Sequence, residues 1–345
     1  MKHLYLDSGF LNVHAILAQA LPFNLVVGGR GTGKTYGTLK ECLDTKRKFL
    51  FLRRTQAQAD LIAKPEFSPF KKVCEDTGEQ VTSFPLSKYN SAICHYDIND
   101  DGRMVPKGAP IGYTAALSTF SNIRGFDASD VDLIIFDEFI PERHERPIKN
   151  EFDALMNCYE TVNRNRELTG VKPVQLLCLA NANDLANPVF IGLNLVKRSM
   201  SLINKGAEQW IDFKRGIALY LLQHSPISDE KRNTALYKLT AGTSFAEMSL
   251  DNKFSANAVG RIASKPLKEY IPVVAVGELC IYRHKSNGTY YATTHITGSP
   301  PHYGTGEADI QRFRRAFGWV WMAYMADKIT FEEYLCEILL TKFFK

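Results

Sequence analysis

The residues from Gly28 to Thr35 have the types and the spacing that bind the phosphates of a nucleotide. They fit the pattern G-x-x-x-x-G-K-[ST] at every position: Gly28, Gly29, Arg30, Gly31, Thr32, Gly33, Lys34 and Thr35. Glycines let backbone N–H groups point at phosphate oxygens, and the following helix adds its positive amino-terminal end. In such a loop the lysine reaches the β- and γ-phosphates and the threonine hydroxyl binds Mg²⁺. The run predicts a site for ATP and Mg²⁺; the alternative is a chance glycine-rich turn.

Two carboxylates, Asp137 and Glu138, follow the apolar run 133–136. Such a run predicts a strand buried on both faces, and its carboxyl end is where α/β sheets bind ligands. Asp137 is expected to hold the Mg²⁺ shell, and Glu138 to orient or deprotonate an attacking water. Asn181 follows another apolar run and is expected to contact the γ-phosphate or that water. The alternatives are solvated acids at a strand end and, for Asn181, a turn residue.

Around these residues, short apolar runs alternate with helical patterns, which predicts an α/β fold. Helices are predicted at 9–21, 36–43, 149–163 and, with breaks at Pro65 and Pro69, 55–77; strands are predicted at 25–27, 48–53, 93–98, 103–105, 111–116, 132–136 and 174–179. Extra strands fall between the two motifs, so the motif strands are not expected to be adjacent. A glutamate directly after the Mg²⁺ aspartate favours the branch of P-loop NTPases that has an additional strand and a catalytic glutamate.

The last hundred residues differ in character and predict a smaller α+β domain. A hairpin of 270–283 and 289–294 brackets a Lys-Ser-Asn-Gly turn, and helices are predicted at 309–326 and 330–344. A Ser-Pro boundary at 225–229 divides the chain into a first domain of residues 1–228, a linker of 229–255 and a second domain of 256–345.

Composition fits a two-domain globular protein, with 345 residues of which 45% are hydrophobic and 23% charged. Seven scattered cysteines with no C-x-x-C pair predict a reducing compartment and no zinc site. No signal peptide or membrane span is visible, so a cytoplasmic protein with no membrane partner is expected. The net charge is +5. The segment from Lys197 to Lys238 contains eight basic and four acidic residues, and this excess of positive charge predicts either contacts with DNA phosphates or a solvated charged face.

Taken together, these motifs resemble the DNA packaging ATPases of small phi29-like tailed phages, distant relatives of large terminase subunits. The matching segments are 28–35, 51–54 (Phe-Leu-Arg-Arg), 134–139 (Ile-Ile-Phe-Asp-Glu-Phe), 163–167 (Asn-Arg-Asn-Arg-Glu), 179–182 (Leu-Ala-Asn-Ala), 242–243 and 247–252. They cover roughly residues 20 to 255. The resemblance implies a homo-oligomeric ring, a pentamer, that drives double-stranded DNA into a procapsid. Its implied partners are the portal or connector and a packaging RNA.

The resemblance also implies roles for several arginines. Arg164 matches an arginine that completes the ATP site of the neighbouring subunit, and Arg166 is the other candidate for that role. Arg124 falls where the family has a second trans-acting basic residue, and Arg30 resembles the terminase arginine that toggles with nucleotide state. The second domain would be ribonuclease H-like. No acid after residue 255 is expected to build a two-metal cluster, so nuclease activity is not expected.

Two other classes of protein fit the nucleotide motifs. One is a helicase-like or recombination ATPase that acts on DNA outside capsids and unwinds strands. The other is a non-motor nucleotide switch or kinase, in which Glu138 would be dispensable. The motor implies a chain in the host cytoplasm that docks transiently on a procapsid.

Overall fold

The computed structural model describes residues 4–123, 125–142, 145, 148–182, 185, 187–243, 246, 249–250 and 261–344. The chain divides into two units, Met1–Phe254 and Ser255–Lys345. Two short helices between residues 226 and 239 lie mainly in the stretch predicted to be a linker, and they belong to the first unit.

The first unit is built on a nine-stranded sheet in the order β3-β4-β5-β2-β6-β7-β1-β9-β8. Its strands are β1 Phe23–Gly28, β2 Phe49–Arg53, β3 Val81–Pro85, β4 Asn90–Ile98, β5 Met104–Ala116, β6 Leu133–Asp137, β7 Gln175–Ala180, β8 Gln209–Asp212 and β9 Ile217–Leu222. The strands from β5 across to β9 pair in parallel, whereas β3, β4 and β8 pair antiparallel toward the edges. Because β7 lies between β1 and β6, an additional strand separates the two motif strands.

Helices cover the sheet and connect its strands. They are α1 Val13–Leu17, α2 Lys34–Thr45, α3 Gln56–Ile62, α4 Lys71–Thr77, α5 Glu151–Asn163, α6 Pro188–Gly192, α7 Val196–Asn204, α8 Pro226–Lys231 and α9 Ala235–Leu239, with short 3₁₀ helices at Pro65–Phe67, Leu117–Ile123 and Glu167–Thr169. Buried apolar side chains of α1, α2 and α4 share one core cluster with β1, β2, β6 and β7. Removing this apolar surface from water stabilises the packing of the helices on the sheet beneath the loop that joins β1 to α2.

Two of the predicted elements have different bounds in the structure. The helix expected at 9–21 is only α1: the Asn12 side chain accepts a hydrogen bond from the Ala15 N–H at its start, and Ala20 adopts a left-handed φ of +55° just beyond its end. The strands expected at 103–105 and 111–116 are one strand, β5. Pro106 does not break it, because this half of β5 is exposed and pairs only with β4, where a missing N–H is tolerated.

The second unit is a five-stranded sheet in the order β13-β10-β11-β12-β14. Its elements are β10 Tyr270–Val276, β11 Leu279–His284, β12 Tyr290–Thr293, β13 His302–Tyr303, α10 Glu307–Met325, β14 Ile329–Phe331 and α11 Tyr334–Phe344, after a 3₁₀ turn at Leu267–Glu269. β10, β11 and β12 form an antiparallel meander, while β13 and β14 join its two edges in parallel. Phe313 and Val320 of α10 and Leu340 of α11 are buried against the sheet.

Two predictions for the second unit are wrong in detail. The strand expected at 270–283 is two strands, because Gly277 turns the chain with a φ of +53°. The helix expected at 330–344 begins only at Tyr334, since the residues before it form β14 beside β12. In the described ranges, no helix combines the length and apolar character needed to cross a bilayer.

Candidate nucleotide site

The side chains predicted to act on a nucleotide converge at one edge of the large sheet. β1, β2, β6, β7 and β9 run parallel, so their carboxyl ends lie side by side. This edge carries the loop from Gly28 to Thr35, Arg53 at the end of β2, Asp137 at the end of β6 and Asn181 directly after β7.

Three of the four glycines in the loop, Gly28, Gly31 and Gly33, are required by its backbone or its packing. Gly31 and Gly33 have left-handed φ values of +71° and +84°, which side chains disfavour. A Cβ on Gly33 would lie 3.1 Å from the Phe10 ring, and one on Gly28 would lie 2.6 Å from the Leu222 side chain. Sequence and backbone therefore agree on a strand, a tight loop and a helix that begins at Lys34.

Lys34 is folded back across the loop. Its ammonium donates to the carbonyl oxygens of Gly28 at 2.9 Å and Gly29 at 2.7 Å, and lies 3.4 Å from Asn181 Oδ1. The pKa of Lys34 is lowered to about 7, chiefly by burial; Asp137 opposes that shift, and the charges of Lys231 and Arg30 add to it. An anion brought to this loop would therefore meet a lysine ready to take up a proton.

The side-chain oxygens of Thr35 and Asp137 lie next to each other at the start of α2. The Thr35 hydroxyl lies 3.1 Å and 3.2 Å from the two Asp137 carboxylate oxygens. Asp137 is buried, and burial raises its pKa while Arg53 and Thr35 oppose that rise. Hydroxyl and carboxylate oxygens are ligands that Mg²⁺ prefers, and a cation here would balance a buried carboxylate.

Glu138 has an unusual backbone that turns it out of the sheet. Its φ is +57°, rare for a residue with a side chain, and the carboxylate is half exposed beside buried Asp137. Burial raises the pKa of Glu138, against the opposing charge of Arg53. A solvent-exposed carboxylate directly after Asp137 has the chemistry of a general base toward water.

Arg53 holds both acids, and sequence reasoning assigned it no role. Its Nη1 lies 2.8 Å from Asp137 Oδ2 and its Nη2 lies 2.7 Å from Glu138 Oε2. The signal was present: the Phe-Leu-Arg-Arg run ends β2, which pairs directly with β6. Because one guanidinium bridges the two carboxylates, it fixes their relative position.

Arg54 is the buried counterpart of Arg53. Its Nε and Nη2 donate to Glu151 at 2.7 Å and 2.9 Å, and its Nη1 donates to Glu145 at 2.9 Å. Arg54 and Glu151 have fully buried side chains. Glu151 is the first residue of α5, so this pair ties the start of α5 to the end of β2.

Arg30 projects from the loop toward Glu142, with which it forms an ion pair. Glu142 lies in the segment that follows Glu138, and its backbone N–H donates to Glu145 at 3.0 Å. The side chain of Arg30 is half exposed. The ion pair of Arg30 with Glu142 thus connects the nucleotide loop to the segment that follows Asp137 and Glu138.

The arginines predicted to act in trans lie elsewhere. Arg164 follows α5 with a left-handed φ of +50°, is half exposed and lies 3.5 Å from Asp127. Arg166 is largely buried and donates to the Ser129 carbonyl oxygen at 2.5 Å. These contacts are with residues that precede β6, whereas the loop lies at the carboxyl ends of the strands. Arg124 lies outside the described residues.

The basic segment predicted to contact DNA is engaged with its own chain at several points. The Arg198 guanidinium lies 4.8 Å from the Trp210 ring centroid, and Arg215 Nη2 donates to the Leu193 carbonyl oxygen at 2.8 Å. Lys231 contacts the nucleotide loop rather than a free surface. DNA contact by this segment stays a prediction.

The residues at this edge fit a magnesium nucleotide. The donor set is one ammonium, one hydroxyl and two carboxylates, arranged around a loop whose glycines leave room for phosphate oxygens. When bound, Mg²⁺ would neutralise charge on the β- and γ-phosphates, with Thr35 and Asp137 as its protein ligands.

Comparison with known proteins decides the family. The family model for the podovirus DNA encapsidation protein (Gp16) matches residues 6–295. The chain belongs to the podovirus DNA encapsidation protein family. Within this family it is 29% identical to the DNA packaging protein of Bacillus phage phi29 over 250 residues, which are 71% of this chain and 66% of that protein. It is 31% identical to the DNA packaging protein of Bacillus phage B103, over 67% of this chain and 64% of the relative. The aligned part of the chain thus spans about two thirds of the length of these relatives.

Solved structures agree in fold. A chain of the bacteriophage phi29 viral genome packaging motor assembly is similar with a TM-score of 0.63 and 23% identity, over 97% of this chain and 98% of that one. A chain of the phi28 gp11 DNA packaging motor is similar with a TM-score of 0.57 and 19% identity, over 94% of each. At these identities the likeness establishes a shared fold.

Proposed function

We propose that this protein is the ATPase of a motor that drives double-stranded viral DNA into a procapsid. The observation that carries the proposal is the convergence of Lys34, Thr35, Asp137 and Glu138 on one loop, in a chain of the DNA encapsidation family. ATP and Mg²⁺ are the ligands that this donor set fits.

The chemistry assigned to each residue follows from its position. Lys34 and the loop N–H groups bind the phosphates, and Thr35 and Asp137 hold Mg²⁺. Glu138 orients and deprotonates the attacking water, and Asn181 contacts the γ-phosphate or that water. Arg53 sets the separation of the two acids, since it bridges both carboxylates.

A ring of identical subunits is supported by where Arg164 lies. Arg164 is half exposed and lies 3.5 Å from Asp127, which precedes β6, whereas the nucleotide loop lies at the carboxyl ends of the strands. An exposed arginine outside its own nucleotide site is available to the site of a neighbouring subunit. Arg164 is therefore proposed as the trans-acting arginine in preference to Arg166, which is engaged with Ser129.

The remaining parts of the proposal come from the family. The ring is a pentamer, Arg124 is a second trans-acting residue, and Arg30 changes partner with nucleotide state. The second unit is a ribonuclease H-like domain without nuclease activity. The motor is found in the host cytoplasm and docks on the procapsid portal, with a packaging RNA as a further partner.

The test is ATP hydrolysis with and without duplex DNA, followed by packaging into purified procapsids. We expect duplex DNA to stimulate phosphate release and the stimulation to fall as salt rises, because the motor holds DNA phosphates. Glu138→Gln is expected to abolish both hydrolysis and packaging. A chain that hydrolyses ATP and displaces strands without packaging would be a helicase, and one that binds ATP without DNA-stimulated hydrolysis would be a switch; either result would refute the motor.

A further inference from the structure

Lys231 is brought to the nucleotide loop by the topology of the sheet. β9 lies parallel beside β1, with Leu222 opposite Gly28, so the chain leaves β9 at the edge where the loop lies. The next element is α8, and Lys231 is its last residue. The stretch that begins here was expected to be a linker or to contact DNA.

The ammonium of Lys231 rests on the loop itself. Its Nζ donates to the Arg30 carbonyl oxygen, and a Cβ on Gly31 would lie only 2.7 Å from that nitrogen. The same nitrogen lies 5.4 Å from the ring centroid of Tyr237, which belongs to α9. Gly31 therefore makes room for a second ammonium on the loop, and a cation–π contact orients it.

The charge of Lys231 is poorly compensated. Within the described ranges no carboxylate forms an ion pair with it, and burial lowers its pKa. Two ammonium groups that converge on one loop repel each other, and an anion bound between them would relieve that repulsion.

We propose that Lys231 is a further phosphate-binding residue of the site, which joins Lys34 in holding the polyphosphate of a nucleoside di- or triphosphate. The assignment rests on the proposed function, since it needs a nucleotide in the loop. It makes α8 and α9 sensitive to that nucleotide, because Lys231 connects the loop to both helices.

The first test is lysine labelling of the unmodified full chain. Acetic anhydride is applied with and without Mg²⁺ and ADP, and the acetylated fraction at each lysine is read by mass spectrometry. We expect ADP to reduce labelling of Lys231 several-fold. Lys107, exposed on the half of β5 that pairs only with β4, is the internal control and should label equally in both samples.

The second test is equilibrium binding of a fluorescent ADP analogue without DNA, so that DNA contacts play no part. A charge-assisted contact to phosphate predicts that Lys231→Gln weakens binding about ten- to a hundredfold. Lys107→Gln should bind like the wild type, and Lys34→Ala marks the effect of losing the lysine of the loop motif.

The outcomes separate the two claims. If ADP leaves Lys231 labelling unchanged and Lys231→Gln binds normally while Lys34→Ala does not, the assignment of Lys231 is overturned and the nucleotide site stands. If the wild-type chain binds no ADP, both the proposed function and this assignment are overturned. The labelling arm uses the wild-type chain and therefore decides the matter even if the variant fails to fold.

Discussion

Removal of Arg53 tests directly how the two acids are held. In the folded chain one guanidinium pairs with Asp137 at 2.8 Å and with Glu138 at 2.7 Å. The Asp137 side chain is 8% exposed and that of Glu138 is 49% exposed, so the two ion pairs of Arg53 contribute different amounts to stability.

Most of the expected loss of stability comes from the ion pair between Arg53 and buried Asp137. Removing one partner of a buried ion pair costs about 3–5 kcal/mol, whereas an exposed pair contributes at most about 1 kcal/mol. Asp137 retains Thr35, so Arg53→Ala is expected to lower the free energy of unfolding by about 3 kcal/mol. For a unit of this size, that loss lowers Tm by about 6–12 °C.

The loss should depend on pH. Without Arg53, burial acts unopposed by that charge, and the folded-state pKa of Asp137 rises further above its unfolded value. A group whose folded pKa is raised loses stability as pH rises through that pKa, so the variant is weakest at neutral pH. The difference in free energy of unfolding between Arg53→Ala and the wild type should become smaller as pH falls toward about 4. Thermal unfolding followed by circular dichroism at several pH values measures it.

A double variant serves as the control. Asp137→Asn places a neutral amide where the carboxylate was, so Arg53→Ala combined with Asp137→Asn should recover most of the stability that Arg53→Ala loses. Strictly additive losses in the double variant, or an Arg53→Ala chain as stable as the wild type, would refute the claim that Arg53 holds Asp137.

Three further predictions follow from the same contacts. The pKa of Lys34 is about 7 in the free chain, so binding of ADP at pH 8.5 should be accompanied by the uptake of close to one proton, and ADP affinity should fall as pH rises from about 7 to 10. Calorimetry in buffers of different ionisation enthalpy measures the proton uptake. Lys34→Ala should abolish it. Mixing Arg164→Ala with Glu138→Ala subunits should restore hydrolysis; if no ratio does so while Arg164→Ala alone keeps full activity, the trans role is wrong. Arg54→Met should lower the free energy of unfolding by about 3–5 kcal/mol in urea titrations, because Glu151 is left buried without its cation, and an unchanged midpoint would contradict the pairing.

The sequence allowed us to predict that the loop and the two acids meet at one sheet edge, because each of the two groups is continuous along the chain. The loop 28–35 and the pair Asp137–Glu138 each carry a local pattern, and parallel strands bring their ends together. The buried strands were likewise visible, since continuous apolar runs need no partner to be recognised.

The contacts between distant residues were not visible. Arg53 meets Asp137 only because β2 pairs with β6, and a single sequence does not reveal which strands pair. Lys231 reaches the loop only because β9 lies beside β1. The bounds of α1 and β5 were missed for a related reason: a side-chain cap and an exposed ribbon overrode the local pattern.

The most direct test of the central claim compares Glu138→Gln with the wild type in two measurements on the same preparation, ATP binding and phosphate release. The amide keeps the size of the side chain and the exposed position, so ATP should bind with unchanged affinity within a few-fold. Loss of the group that acts on water should slow phosphate release by about 10²–10⁴. A variant that binds ATP and releases phosphate at the wild-type rate would contradict the account.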